Sequence, residues 1–253
     1  MKILPYLREI SLKNEKVEHW DRFPFTIPAV KNLGRLPFSP SVTFIIGENG
    51  SGKSTLVEAI AVAMGFNPEG GTKNFNFGTR DSHSTLHSFL RLVKSIQKPK
   101  DGFFLRAESF FNVATNIEQL DSEGGGPLVI DSYGGESLHE QSHGESFMSL
   151  VLNRFSGHGL YILDEPEAAL SPTRQLTVLA RINHLVKQKS QFIIATHSPI
   201  LMAYPDALIY NITSSGIESI NYRETEHYQI TRSFLANPGR MLQELFKNDE
   251  HDD

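Results

Sequence analysis

Val42-Thr43-Phe44-Ile45-Ile46-Gly47-Glu48-Asn49-Gly50-Ser51-Gly52-Lys53-Ser54 is the stretch that decides the fold. Its first five residues are β-branched or aromatic, lie between Pro40 and Gly47, and read as a short strand buried on both faces. From Ser54 to Met64 the spacing of Leu56, Ile60 and Met64 predicts a helix. The residues between, Gly47, Glu48, Asn49, Gly50, Ser51, Gly52, Lys53 and Ser54, fit G-x-x-x-x-G-K-[ST]. Glycines let backbone N–H groups turn inward around phosphate oxygens, and the adjoining helix N-terminus favours negative charge. Lys53 is then placed to reach the outer phosphates of a nucleoside triphosphate, and the Ser54 hydroxyl to ligate Mg²⁺. Thr55 completes the candidate phosphate-binding set. A chance glycine-rich turn shows the same pattern, but here a strand enters it and a helix leaves it.

Two further strands end in chemistry. Leu160-Tyr161-Ile162-Leu163 leads into Asp164-Glu165-Pro166, and Phe192-Ile193-Ile194-Ala195 leads into Thr196-His197-Ser198. Asp164 at a strand end is placed to hold Mg²⁺, and Glu165 to orient or deprotonate an attacking water. Two acids after a strand are otherwise a solvated loop, and a lone histidine there is commonly structural. In an open α/β sheet, however, that edge is the ligand crevice, where His197 can bond a terminal phosphate and steady Glu165.

The remaining chain predicts an α/β fold. It has a mostly parallel core sheet flanked by helices, an N-terminal antiparallel β-meander and a small helical or irregular subdomain. Residues 6–12 and 23–30 are read as meander strands, Ser84–Gln97 and Ser146–Phe155 as helical, and Phe103–Ser109 as a strand. Ser171-Pro172 opens a helix striped by Leu176, Leu179, Ile182 and Val186. Ala207–Ile212 and Ile217–Tyr222 read as two strands joined through Ser214-Ser215-Gly216. Gly124-Gly125-Gly126 reads as a flexible linker. One domain is expected over 1–247, with the meander at 1–40, the core at 41–66 and 156–247, and the subdomain at 67–155. Residues 248–253 are expected to be a disordered acidic tail.

Composition narrows the classes. The 253 residues carry a formal net charge of −5, which provides no global drive toward nucleic acid. There is no cysteine, which excludes disulfides, thiolate metal sites and cysteine nucleophiles. The longest apolar stretch, Ala59–Phe66, is far short of the roughly 20 residues a membrane helix needs, so a cytoplasmic chain without membrane insertion is expected.

In order, these segments resemble the ABC-type P-loop ATPase superfamily over most of the chain. Gly47–Ser54 looks like its Walker A motif, Leu160–Glu165 its Walker B motif with catalytic glutamate, and His197 its switch histidine, 32 residues beyond Glu165. Gln141-Ser142-His143-Gly144-Glu145 stands where the Leu-Ser-Gly-Gly-Gln signature belongs, with Ser142 lying 22 residues before Asp164. Ser142 and Gly144 match that signature; His143 and Glu145 depart from it. Ala168-Ala169-Leu170-Ser171 resembles the D-loop but ends in serine where aspartate is usual. No glutamine marks a Q-loop; Glu108 is the candidate substitute and a further metal-ligand candidate. Phe23 or Phe25 is the candidate for stacking on adenine. More narrowly, Gly65–Gly71, Gln141–Phe147 and Asp164–Pro172 resemble bacterial stand-alone ATPases often labelled AAA-family, relatives of chromosome-maintenance and DNA-repair ABC ATPases.

That resemblance implies ATP and Mg²⁺ as ligands and an ATP-dependent head-to-tail homodimer. Each site would join Lys53, Asp164, Glu165 and His197 of one subunit to Ser142, His143, Gly144 and Glu145 of the other. It implies an ATPase switch acting on an unnamed partner protein or DNA. The alternatives are the nucleotide-binding subunit of a transporter and, more remotely, a small-molecule kinase.

Overall fold

The computed structural model describes residues 5–39, 41–73, 84–106, 110–124 and 126–247. The chain opens with β1 (Leu7–Leu12), the short α1 (Pro28–Lys31) and β2 (Leu36–Pro37), then enters β3 (Val42–Gly47) and α2 (Lys53–Ala63). After α3 (Leu86–Phe89) come β4 (Leu90–Lys94), β5 (Asp101–Arg106) and α4 (Phe110–Glu123). Next is α5 (His143–Ser149), which runs into a π turn over Leu150–Arg154. The second half holds β6 (Gly159–Asp164), α6 (Pro172–Lys187), β7 (Gln191–Ala195), α7 (Pro199–Met202), β8 (Leu208–Thr213) and β9 (Gly216–Ser219). Helices α8 (Glu226–Ala236) and α9 (Pro238–Lys247) follow.

Among the described residues six strands form the core sheet in the order β5-β6-β7-β3-β8-β9, parallel except for the β8–β9 hairpin. Every residue of β3, β6 and β7 is buried, which is why these strands are continuous apolar runs instead of alternating ones. Alternate side chains serve opposite faces. Ile45, Ile162 and Ile193 pack with Leu56 and Ile60 of α2 in one core. Phe44, Ile46, Leu163 and Ile194 pack with Val178 and Ile182 of α6 in the other.

A second sheet, β2-β1-β4, is antiparallel. Gln191, at the start of β7 and 1% exposed, clasps it to the core. Its Oε1 accepts from the Leu7 N–H at 2.9 Å, and its Nε2 donates to the Leu7 carbonyl at 2.9 Å. One side-chain amide thus fills both ladder positions of a β1 residue.

The antiparallel sheet is present as expected, but its third strand comes from 90–94 and not from 23–30. Pro28 is the first residue of a short helix, a position where its missing N–H costs nothing. Within Ser84–Gln97 only Leu86–Phe89 is helical. Leu90 and Leu92 instead pair with Leu12 and Ile10 of β1, because that pairing satisfies the free edge of β1. The stretch 67–155, expected as one irregular subdomain, is divided: β4 and β5 join the two sheets, while α4 and α5 lie outside them. Helix α4 carries a buried stripe of Phe110, Val113, Ala114 and Ile117. Gly125 of the expected linker and the tail 248–253 lie outside the described residues.

Replacing Gln191 with leucine keeps the volume and orphans two buried backbone groups at Leu7, each costing about 1–3 kcal/mol. Urea denaturation should therefore show a loss of roughly 2–4 kcal/mol. A loss under about 1 kcal/mol would show that the two sheets are held together by apolar packing alone.

Candidate functional site

Register assembles the site. Across the core sheet Ile45 stands level with Ala195, Ala195 with Asp164, and Asp164 with Arg106. The C-terminal ends of β3, β7 and β6 therefore open onto one edge, where parallel sheets place their ligands. Two backbone bonds carry the pairing one step past the strands: Thr196 N–H to Ile45 O at 3.3 Å, and Glu165 N–H to Ala195 O at 3.0 Å.

The phosphate loop leaves β3 at Gly47. Gly47, Gly50 and Gly52 have φ of 150°, 78° and 95°. At Gly47 a Cβ would meet Ile212 O at 2.7 Å, and at Gly52 it would meet Ile27 Cδ1 at 2.7 Å. Only glycine fits either place. Lys53, 4% exposed, donates from Nζ to the carbonyls of Gly47 (2.8 Å) and Glu48 (2.9 Å). Burial pushes its ammonium below the usual lysine value, against the attraction of Glu165, Asp164 and Glu167. Ser51 Oγ is buried without a hydrogen-bond partner among the described residues. A cradle closed to side chains, with an unanswered hydroxyl and a central cation, fits phosphate oxygens.

Ser54 Oγ donates to Asp164 Oδ1 at 3.1 Å, so the two oxygens that a phosphate-bound Mg²⁺ would need are side by side. Among the described residues no three His, Cys, Asp or Glu side chains converge on a metal site. Ser54 and Asp164 would therefore hold Mg²⁺ only together with phosphate oxygens.

Glu165 adopts the left-handed conformation (φ 50°, ψ 52°), uncommon for a residue with a Cβ. Its Oε1 lies 3.6 Å from His197 Nε2. His197 Nδ1 is 3.1 Å from His227 Nε2, on the first turn of α8. The His197 backbone N–H donates to Glu167 Oε1 at 2.6 Å. Burial, foremost, and then the Lys53 charge lower the His197 pKa from its ordinary 6.5. Burial and then His197 lower that of His227, while burial raises Glu167. A cavity of about 450 Å³ runs along Gly47–Ser51 to His197, Asn211–Ser214, Glu226 and His227.

The signature-like segment stands apart from that cavity. Ser142 caps α5: its hydroxyl and backbone N–H donate to Glu145 Oε2 at 2.6 and 3.1 Å, and its Oγ accepts from the Glu145 N–H at 3.4 Å. The Ser142 hydroxyl, ahead of the Arg174 charge, holds the exposed Glu145 carboxyl below its usual value. A Cβ at Gly144 would meet Ala169 O at 2.6 Å, so α5 is pressed against the Pro166–Ala169 turn. His143 shares a crevice of about 40 Å³ with Glu165. Ser142, Gly144 and Glu145 line neither cavity.

Phe25 is buried edge-on between Trp20 and Phe89, which leaves no free face for adenine. Phe23 is 63% exposed. Glu108 lies outside the described residues. Glu167 and His227 were not singled out from sequence. Glu167 carries a readable signal, two residues past Glu165 on a turn. His227 carries none, for α8 buries no residue and repeats no motif.

A family model described as an AAA domain matches residues 27–146. A second, described as "AAA domain, putative AbiEii toxin, Type IV TA system", matches residues 129–203. An ABC transporter G family member, STR2 of Medicago truncatula, is 26% identical over 172 residues, which is 62% of this chain and 24% of that protein. The chain thus spans about a quarter of this relative's length. An ATP-binding cassette of an ABC transporter aligns with a TM-score of 0.51 and 16% identity, over 85% of this chain and 90% of that one. An SMC head domain from Thermotoga maritima aligns at 0.41 with 18% identity, over 85% and 99%. The likeness to the cassette shows the fold. That is the fold of ABC-type P-loop ATPases, and the phosphate loop, the Asp164–Glu165 pair and His197 stand along it in the order expected from the sequence.

The sign of a pH dependence follows from the two lowered histidines. As pH falls through about 6.5 the unfolded chain takes up protons that the folded one refuses, so stability drops. Glu167, raised, acts in the opposite sense in its own window above its ordinary 4.5. The melting temperature should fall between about pH 7.5 and about pH 5.5, and more shallowly in a His197→Gln/His227→Gln variant. Equal slopes would remove these two rings as the cause.

Proposed function

We propose that the chain binds ATP with Mg²⁺ at the phosphate loop and hydrolyses it. We further propose that this controls a head-to-tail homodimer acting on a protein or DNA partner. The observation that carries the reading is the single edge holding Lys53, the Ser54–Asp164 pair and the Glu165–His197 pair. Lys53 and the loop N–H groups of Gly47–Thr55 would grip the phosphates. Mg²⁺, held by Ser54 and Asp164, would offset charge on the phosphate oxygens. Glu165 would take the proton of the attacking water, and His197 would hold Glu165 and the terminal phosphate in place.

The separation of Ser142, Gly144 and Glu145 from the phosphate-loop cavity supports their use by a second copy. Donors on α5 of one subunit would then meet a phosphate bound by the other. Loss of that phosphate removes the bridge, which makes the dimer a ligand-driven switch. No helix among the described residues is long and apolar enough to cross a membrane.

Glu165→Gln should lower phosphate release about 10²-fold or more while ATP still binds. Light scattering should find this variant dimeric with Mg-ATP and monomeric without it. A normal rate in the variant would remove Glu165 from catalysis, and a monomer with ATP bound would remove Ser142 from the site.

A further inference from the structure

His197 is held on two sides. Its Nε2 faces Glu165 and its Nδ1 meets His227 Nε2 at 3.1 Å, with the ring centroids 5.4 Å apart. The outer nitrogens of the pair, His197 Nε2 and His227 Nδ1, are buried and have no hydrogen-bond partner among the described residues. Both rings are pushed toward the neutral form by burial, and a neutral imidazole carries one proton. The contact between them can then be made in only two ways.

In one, His197 donates from Nδ1 to His227 Nε2. A bare Nε2 lone pair would then face the Glu165 carboxylate, acceptor against acceptor, and His227 would bury an unanswered N–H. In the other, His227 donates from Nε2 to His197 Nδ1, so that His197 carries its proton on Nε2, toward Glu165. The second arrangement turns the 3.6 Å approach into attraction and leaves only a lone pair unanswered at His227, the cheaper orphan.

His227 is placed firmly enough to make this choice. Thr225, fully buried, caps α8 by accepting from the Tyr228 N–H at 3.3 Å. Just before it, the Tyr222 hydroxyl donates to Pro199 O at 2.9 Å, two residues beyond His197. The charged groups around the pair are Lys53, Glu165, Glu167 and Glu226.

We infer that His227 is a positioning residue that donates to His197 and holds the His197 proton on the nitrogen facing Glu165. Its consequence for turnover rests on the hydrolysis reading above; the position of the proton does not. A donor presented this way would be ready for a terminal phosphate oxygen without first turning over its tautomer.

Nitrogen-15 histidine spectra of the full chain test the inference directly. Wild type should show His197 protonated at Nε2, and His227→Phe a mixture of tautomers. His227→Gln, whose amide can donate from nearly the same place, should restore the wild-type form. His227→Asn, polar but too short, should behave like His227→Phe and controls for the effect of an added apolar ring. In phosphate release, His227→Phe should lose about tenfold in kcat with KM changed less than about twofold, and His227→Gln should recover most of it. A His197 tautomer that is unchanged in both His227→Phe and His227→Asn overturns the inference, as does an Nδ1-protonated His197 in wild type. Wild type with the expected tautomer and no phosphate release would instead sink the hydrolysis reading alone.

Discussion

The parallel register of β3, β7 and β6 is the constraint on which the rest hangs. Ile45, Ala195 and Asp164 stand in one row, so the residues that follow them must emerge together. Had β7 slipped by one residue, every side chain on it would change faces, and Ile193 and Ile194 would trade cores. Burial of both faces forbids that slip, because each face meets its own apolar layer. The same packing that stabilises the sheet thus fixes where Lys53, Glu165 and His197 sit. Site geometry and fold stability are consequences of one alignment.

Within this frame carboxylates outnumber the buried cation. Three carboxylates, Asp164, Glu165 and Glu167, bear on Lys53, which is almost wholly buried. Burial is the largest cause at four of these groups, lowering Lys53 and the two histidines and raising Glu167. Burial thus favours the neutral form at each of these four groups, and at Lys53 the neighbouring carboxylates oppose it. Glu167 is tied by the His197 backbone N–H, and its other oxygen has no partner among the described residues. That carboxyl therefore serves the loop carrying His197 as much as it serves the field around Lys53.

What sequence could disclose was whatever each strand or helix determines locally. The run from Val42 to Ser54 and the carboxylate pair after Leu163 are legible because buried parallel strands are unbroken apolar runs, and turns with positive φ need glycine. Ser171-Pro172 is legible as a helix start for a similar reason: the capping hydrogen bond is made within one turn. Ser84–Gln97 misleads because Leu86, Leu90 and Val93 fit a helix, whereas the pairing that decides the matter lies some 80 residues away in β1. His227 is the extreme case. It meets His197 through tertiary placement alone, on a helix with no buried face to announce it.

The packing of α5 beside the turn that follows Glu165 has a mechanical side. Gly144 packs so closely on Ala169 O that no side chain fits between them, and His143 and Glu165 share one crevice. The Glu165–Ala169 turn therefore touches the phosphate-loop machinery at one end and the capped start of α5 at the other. Glu165 is held in a left-handed conformation at the junction, with its backbone N–H bonded to Ala195 O. A non-glycine residue in that conformation is held there by its surroundings. In the proposed dimer, a change at the terminal phosphate would bear on Glu165 and, through this short turn, on the Ser142 end that serves the neighbouring subunit. The far end of the turn is fixed in the same local way, since Ser171 caps α6, whose Val178 and Ile182 pack into the core.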